Sequence, residues 1–362
     1  VLRDVPAQRL AYRFEADVAT PTGTKDANQK LDAILMDFNV RRTDDALLRT
    51  VTSPDGQRVL ALYNTDEEPR ANFRIDMYSS DGKFLSNLTP PTLSCVFPET
   101  VVWSPEGKSI AFIAHKRTAP SPTPTPPPAL FPMPEISPVP TPSIAPAFPS
   151  VPVFNTEQIY VCTRDGLELR PLTAREGLIY FYFAWAPESH ALVALACKES
   201  EWDARERQGL LPAGRPRLIG LDGKERLLDD RLTEALPVWS PDASKVATGF
   251  ASDRELDVTI YDAATSKPTQ ARIPLREVMI AASVTYEQKT RKSGSAKSGA
   301  AATPSNSASL PPSFNPIINL EWPSPDKLYF QTAYVRLLQN ETINTFQRWH
   351  LLALSAQSAV LK

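Results

Sequence analysis

Cysteine, histidine and glycine are scarce in this chain: 3, 3 and 13 of 362 residues. Cys95, Cys162 and Cys197 permit at most one internal bridge, which excludes a disulfide-held scaffold. They show no C-x-x-C spacing, so a zinc ligand set is not expected, and free thiols buried in strands are. His115, His190 and His350 share no ligand-like spacing, which argues against a histidine metal site. Thirteen glycines exclude collagen. An excess of either charge is missing too: 39 basic against 41 acidic residues leave −2, without the basic surplus of a nucleic-acid binder. No apolar run approaches the roughly 20 residues of a membrane-spanning helix. The longest, such as Leu351 to Leu354, are strand-sized. No G-x-S-x-G, H-E-x-x-H, P-loop or G-x-G-x-x-G occurs. The sequence opens at Val1 without Met or an apolar leader, as either a processed or an artificially trimmed chain would, and the start alone does not decide between them. What is plentiful is proline, 36 in all and about twice its usual share, which excludes a coiled coil or an all-helical bundle. An apolar fraction of 42% suffices for a sizeable core.

The chain repeats itself. Thr52-Ser53-Pro54-Asp55-Gly56 precedes the apolar run Val59 to Leu62, and Trp103-Ser104-Pro105-Glu106-Gly107 precedes Ile110 to Ile113. Trp185-Ala186-Pro187-Glu188-Ser189 and Trp239-Ser240-Pro241-Asp242-Ala243 are further copies, and Trp322-Pro323-Ser324-Pro325-Asp326 is a degenerate fifth. In each unit an apolar strand ends, usually in Trp, and a tight turn follows. Proline presets φ there, Asp bonds its own backbone and Gly tolerates positive φ. A second apolar strand completes a hairpin. A third strand, a second turn such as Ser80-Asp81-Gly82, Arg164-Asp165-Gly166 or Asp222-Gly223-Lys224, and a short fourth strand close the unit. Four antiparallel strands repeated about an axis make an all-β propeller, each sheet burying its faces against its neighbours. The recurrent Trp is expected to pack between blades.

The pattern W-S-P-D-G, an I-A-F-like strand, an I-Y-V-like strand, D-G and a closing L-T resembles the TolB-type, WD-like propeller repeat. Trp103 to Ile113, Gln158 to Cys162, Asp165-Gly166 and Leu172-Thr173 carry it best. The likeness runs from about Leu47 to Lys362 and concerns the fold more than a function. It implies a bacterial periplasmic or otherwise exported location. Without a G-x-S-x-G elbow, the hydrolase domain that often follows such propellers in prolyl-oligopeptidase-like enzymes is not expected in this sequence.

The expectation is one propeller domain over 1–362 with six blades. The alternating Arg9 to Ala16 and the Leu31 to Phe38 run supply two strands of the extra blade, and a C-terminal strand clasps the ring. The fourth strand of the fifth repeat is expected at Ala359 to Lys362. Two insertions interrupt the pattern. Residues 118–152 hold 14 of the 36 prolines, and residues 289–313 are rich in Ser, Ala, Gly and Lys. A charged stretch, Lys198 to Arg215, reads as a short helix bearing Trp202. The proline segment and the charged stretch lie between strands two and three of their units, and the Ser/Ala segment between one unit and the next. These connections share one face, which predicts one elaborated and one plain face.

The repeated Asp55, Glu106 and Asp242, like Asp81, Asp165 and Asp222, belong to turn chemistry, not to acid–base catalysis. Asp253, Glu255 and Asp257 alternate and read as a solvated charged edge rather than a weak Ca²⁺ site. The leading expectation is therefore a non-enzymatic protein-binding scaffold, an accessory subunit of a membrane-associated envelope complex, with no cofactor and no nucleic-acid partner. Leu130, Phe131, Met133, Ile136, Phe148 and Trp202 on the elaborated face are its candidate partner-binding residues. Two alternatives are a propeller binding a small ligand or peptide in its central channel, and a propeller lyase or glycosidase.

Overall fold

The structure is a computed structural model describing residues 2–21, 31–65, 72–117, 151–252, 255–282, 285, 317–336 and 344–357. Its first strand, β1 (Leu10–Val18), is followed by helix α1 (Asp32–Arg41). Blade I then contains β2 (Ala46–Thr52), β3 (Arg58–Asn64), β4 (Arg74–Ser79) and β5 (Phe84–Asn87). Blade II has its inner strand in two pieces, β6 (Leu93–Val96) and β7 (Val102–Trp103), followed by β8 (Ser109–Lys116), β9 (Gln158–Thr163) and β10 (Arg170–Pro171). Blade III is β11 (Leu178–Trp185), β12 (Ala191–Lys198), β13 (Arg215–Gly220) and β14 (Glu225–Leu227), with helix α2 (Glu199–Arg207) between its second and third strands. Blade IV is β15 (Val238–Trp239), β16 (Lys245–Ala251), β17 (Leu256–Asp262) and β18 (Gln270–Pro274). Blade V is β19 (Ile317–Ser324), β20 (Lys327–Arg336) and β21 (Asn344–Ala356). Its fourth strand is β1, antiparallel to β21 from Leu10 opposite Ala356 to Val18 opposite Trp349.

The chain is thus an all-β propeller. Its described residues form five blades, not the expected six. Leu31 to Phe38, expected as a strand, lies in α1. Ile34 and Phe38, four apart, sit on one helical face and bury against Leu47, Val59, Ala61, Tyr63 and Tyr78 of blade I. The strand at Arg9 to Ala16 exists, but it completes blade V in place of Ala359 to Lys362, which lie outside the described residues.

Apolar seams join consecutive blades. Leu60, Ile75 and Met77 of blade I meet Trp103, Ile110 and Phe112 of blade II. Ile113 and Ile159 meet Tyr180 and Phe183 across the II–III seam. Val193 meets Trp239 and Val246 across III–IV. Ile260 and Ile273 meet Trp322, Leu328 and Phe330 across IV–V. Each such side chain, fully buried, contributes roughly 1.5–3 kcal/mol.

The repeated Trp does more than fill space. Trp103 Nε1 donates to the Val51 carbonyl of blade I at 3.1 Å, and Trp239 Nε1 to the Ala184 carbonyl of blade III at 3.1 Å. Each indole therefore ties its blade to the inner strand of the blade before it. Trp185 Nε1 is buried without an acceptor, and Trp322 Nε1 turns to Pro325 of its own turn at 3.4 Å. Blade I carries Thr52 at this place.

Antiparallel order puts the turns between strands one and two, and between three and four, at one end of every blade. Helices α1, α2 and the helical residues 276–282 all lie in the connections at the other end. At the turn end the blades are laced together. Arg164 meets Asp55 at 2.9 Å and Arg58 meets Asp165 across I–II. Arg170 donates to the Leu221 carbonyl at 2.7 Å across II–III.

Candidate functional site

Among the described residues a candidate site lies on the turn face, where no elaboration was expected. Between blades III and IV Arg226 donates to the Asp262 and Ala263 carbonyls at 2.6 and 3.2 Å, much as Arg170 donates across II–III, and beside that contact lies a cleft of about 390 Å³, within the roughly 300–1,000 Å³ of ligand sites. Its walls are the β11–β12 turn (Glu188, His190), the β15–β16 turn (Asp242 to Ser244), the β17–β18 connection (Ala264 to Lys267) and the segment Arg3 to Pro6.

Local sequence shapes the cleft. Across I–II, a first-turn carboxylate, Asp55, is met by Arg164 from the second turn of the next blade. The corresponding connection of blade IV lacks the Asp-Gly of the other second turns. It runs over residues 263–269, against 80–83 in blade I, 164–169 in blade II and 221–224 in blade III. Lys267 lies on this loop and lines the cleft, and Glu188 is paired with Arg3 at 3.5 Å and His190 at 3.8 Å. The first turns are unusual as well. Gly56 and Gly107 hold φ of 69° and 70° in blades I and II, but blades III and IV place Ser189 (59°) and Ala243 (55°) there. A side chain in the left-handed region costs about 1–3 kcal/mol and persists where surroundings enforce it, often beside functional sites. Both strained turns belong to this cleft.

The cleft presents both signs of charge. Arg3 and Lys267 are cationic; Asp4, Glu188 and Asp242 are anionic. Burial works to raise the Asp242 pKa. Hydrogen bonds from the Ser240 and Ser244 hydroxyls, each 2.7 Å, and from the Ser244 amide at 3.1 Å outweigh it and hold the carboxylate below its usual range. Among the described residues no cluster of His, Cys, Asp or Glu could hold a metal ion.

Other polar groups are structural. Asp76 accepts from Arg42 (2.8 and 3.2 Å), Asn87 (2.7 Å) and Tyr63 (3.3 Å). Glu225 accepts from Tyr180 and Arg175 at 2.9 Å each and from Arg217. Tyr261 donates to Asp229 at 2.7 Å, and Arg231 joins Asp229 to Asp257 at 3.0 Å on both sides. Burial, with the neighbouring carboxylate adding to it, pushes all three phenols up. Asp257 therefore corrects the reading of a solvated edge: its side chain is 2% exposed and held by Arg231 and Arg272. Glu255 remains exposed and Asp253 lies outside the described residues.

His350, Thr332 and Asp17 have the makings of a triad, but the protons are on the wrong side. The Asp17 amide donates to Nδ1 at 3.4 Å, so the ring proton sits on Nε2 and points at Thr332 Oγ1, 3.0 Å away. A base that activates a hydroxyl needs the reverse. The ring is fully buried beside Phe14 and Phe330. Burial first, then the Arg348 charge, lowers its pKa from 6.5 to about 4. A histidine whose folded pKa lies below its unfolded value contributes stability that is present above the unfolded value and lost as pH falls toward the folded one. Urea midpoints are therefore expected to decline from pH 6.5 to pH 4 in the parent protein. His350→Gln is expected to lack that component, and an unchanged pH slope in the variant would contradict the assignment.

Of the candidate partner-binding residues, Leu130, Phe131, Met133, Ile136 and Phe148 lie outside the described residues. Trp202 projects from α2, with its ring 5.7 Å from Phe97 and 5.6 Å from Phe181. Much of its surface is therefore spent seating the helix on blades II and III.

No family model matches the sequence, and no curated protein matches it either. Solved structures do match in part. Prolyl oligopeptidase B from Galerina marginata shares 11% identity over 98% of this chain and 44% of its own, with a TM-score of 0.43. A putative dipeptidyl aminopeptidase IV from Bacteroides ovatus shares 12% over 80% and 41%, TM-score 0.35, and the tricorn protease 9% over 63% and 23%, TM-score 0.35. The chain spans less than half the length of each. The proteins matched are named as peptidases, against the expectation of a non-enzymatic scaffold, and neither that role nor an absence of activity is carried further. At this identity the likeness concerns the fold and assigns no residue a step. The propeller is established by the chain's own sheets and seams.

Proposed function

We propose that this propeller binds the free end of a peptide, or an amino acid, in the cleft between the turns of blades III and IV. The observation that carries the reading is the cleft at the III–IV turn ends, where two strained first turns, the loop 263–269 and Arg3 to Pro6 border a space with charges of both signs. An amino acid, or a peptide short enough to bring both termini into the cleft, meets that arrangement, its carboxylate toward Arg3 and Lys267 and its ammonium toward Glu188 and Asp242. As part of the same proposal the W-S-P-D-G unit keeps its TolB-type likeness, and with it an exported setting. Calorimetric titration with tri-alanine tests the binding. Saturable binding is expected, and N-acetylated, C-amidated tri-alanine is expected to bind far less. Glu188→Gln or Lys267→Met, each removing one charge-assisted contact, should weaken binding about tenfold or more. No binding at millimolar peptide, or equal binding of the blocked peptide, overturns the reading.

A further inference from the structure

The wall formed by Arg3 to Pro6 is continuous with the strand that closes the ring. Directly after it come a short 3-10 turn, Ala7–Arg9, and β1. The turn is pinned to blade IV. The Ala7 amide donates to both Asp262 oxygens, at 3.0 and 3.3 Å, and the Gln8 amide to Thr269 Oγ1 at 3.2 Å. Thr269 in turn donates to Asp262 through its hydroxyl (2.6 Å) and its amide (2.9 Å). Lys245 Nζ, buried beside Asp262 at 3.4 Å, reaches the Arg3 carbonyl at 3.4 Å. Leu2 and Val5 pack against the IV–V core, and the Gln357 amide bonds the Arg9 carbonyl at 2.9 Å. One short segment therefore does two things: it lines the cleft, and it anchors the start of β1 to blade IV.

We propose that residues Leu2 to Pro6 act as a strap whose docking is coupled to the cleft, so that a bound peptide end and closure of the ring by β1 reinforce each other. The inference rests on the peptide-end reading given above. A ligand touching Arg3 on the strap and Glu188 or Lys267 on the blades adds a bridge to the Arg3–Glu188 pair, the pin and the apolar packing that already join these parts. It binds the docked state better than the undocked one, and by linkage the docked state binds it better in return. The strap is a positioning element in this scheme and Thr269 a positioning residue, since Thr269 does not line the cleft.

Hydrogen exchange of the whole chain, with and without saturating tri-alanine, tests the coupling. Thr269→Val keeps the backbone amide but removes the hydroxyl that holds Gln8 and Asp262. In the parent, the amides of Arg3 to Val5, Ala7 and Gln8 are expected to exchange about five- to tenfold more slowly with peptide bound, a coupling within the usual range. In Thr269→Val the same amides should exchange faster without peptide, and the peptide Kd should rise by about three- to tenfold. Peptide binding with unaltered strap exchange, or parental affinity in a Thr269→Val protein whose strap has loosened, overturns the coupling and leaves the cleft reading standing. Failure of the parent to bind tri-alanine at all overturns the cleft reading and the coupling with it.

Discussion

Asp262→Ala is expected to destabilise the fold by about 3–5 kcal/mol, the usual cost of removing one partner of a buried ion pair. The side chains of Asp262 and Lys245 are 2% and 3% exposed. Truncating the aspartate leaves the ammonium desolvated without its nearest counter-charge. It also strips the acceptor from the Ala7 amide, the Thr269 amide and the Thr269 hydroxyl. Urea unfolding measures the loss. Trypsin supplies a second readout, because freeing the 3-10 turn exposes the bond after Arg9, and faster cleavage there is expected in the folded variant. The double variant Asp262→Asn with Lys245→Met should recover most of the stability, since it leaves no unpaired buried charge. A loss below about 1 kcal/mol in Asp262→Ala, the range of an exposed pair, would remove the pin from this account.

The second large effect concerns the repeated tryptophans, and the copies are expected to differ. Trp103→Ala and Trp239→Ala should each cost about 3–5 kcal/mol, as large-to-small changes in packed cores do. Both rings are buried in seams, at 7% exposure. Replacement by Phe separates packing from hydrogen bonding. At 103 and 239 the change removes an indole donor from the Val51 or Ala184 carbonyl and should cost about 1 kcal/mol beyond the lost packing. At 185 the indole N–H has no acceptor to lose, so Trp185→Phe should be milder, with relief of an unpaired buried donor offsetting part of the smaller ring. Chemical denaturation of the three Phe variants gives the comparison. If Trp185→Phe proves as costly as the other two, the indole bonds are not what ties each blade to the one before it.

Much of the architecture was legible because its causes are local. Ser-Pro-Asp-Gly builds its own turn: in blade I the Ser53 hydroxyl donates to Asp55 at 2.6 Å and accepts from the Arg58 amide at 3.0 Å. The apolar runs beside the turns pair because nothing else nearby can bury them. The helical stretch bearing Trp202 was legible for the same reason, since Glu199 and Glu201 sit in its first turn and Arg205 and Arg207 in its last, where they oppose the helix dipole. The Leu31 to Phe38 stretch misled. Apolar residues crowd it so closely that strand and helix periods both fit, and what decided between them was the uncovered face of blade I.

Sequence by itself therefore determined the blade, its turns and its indole, because each depends on residues within a few positions of one another. Only the tertiary structure decided which strand closes the ring, that Asp257 is buried under Arg231 and Arg272, and where the turn face opens. Ser189 and Ala243, standing where the repeat calls for glycine, and the missing Asp-Gly after Asp262 were the local signs of that cleft. The cleft takes its walls from residues 3–6, 188–190, 242–244 and 264–267. Segments so far apart along the chain carry no mutual pattern in the sequence. They meet because packing of blades III and IV and the return of β1 to β21 bring their ends to one place.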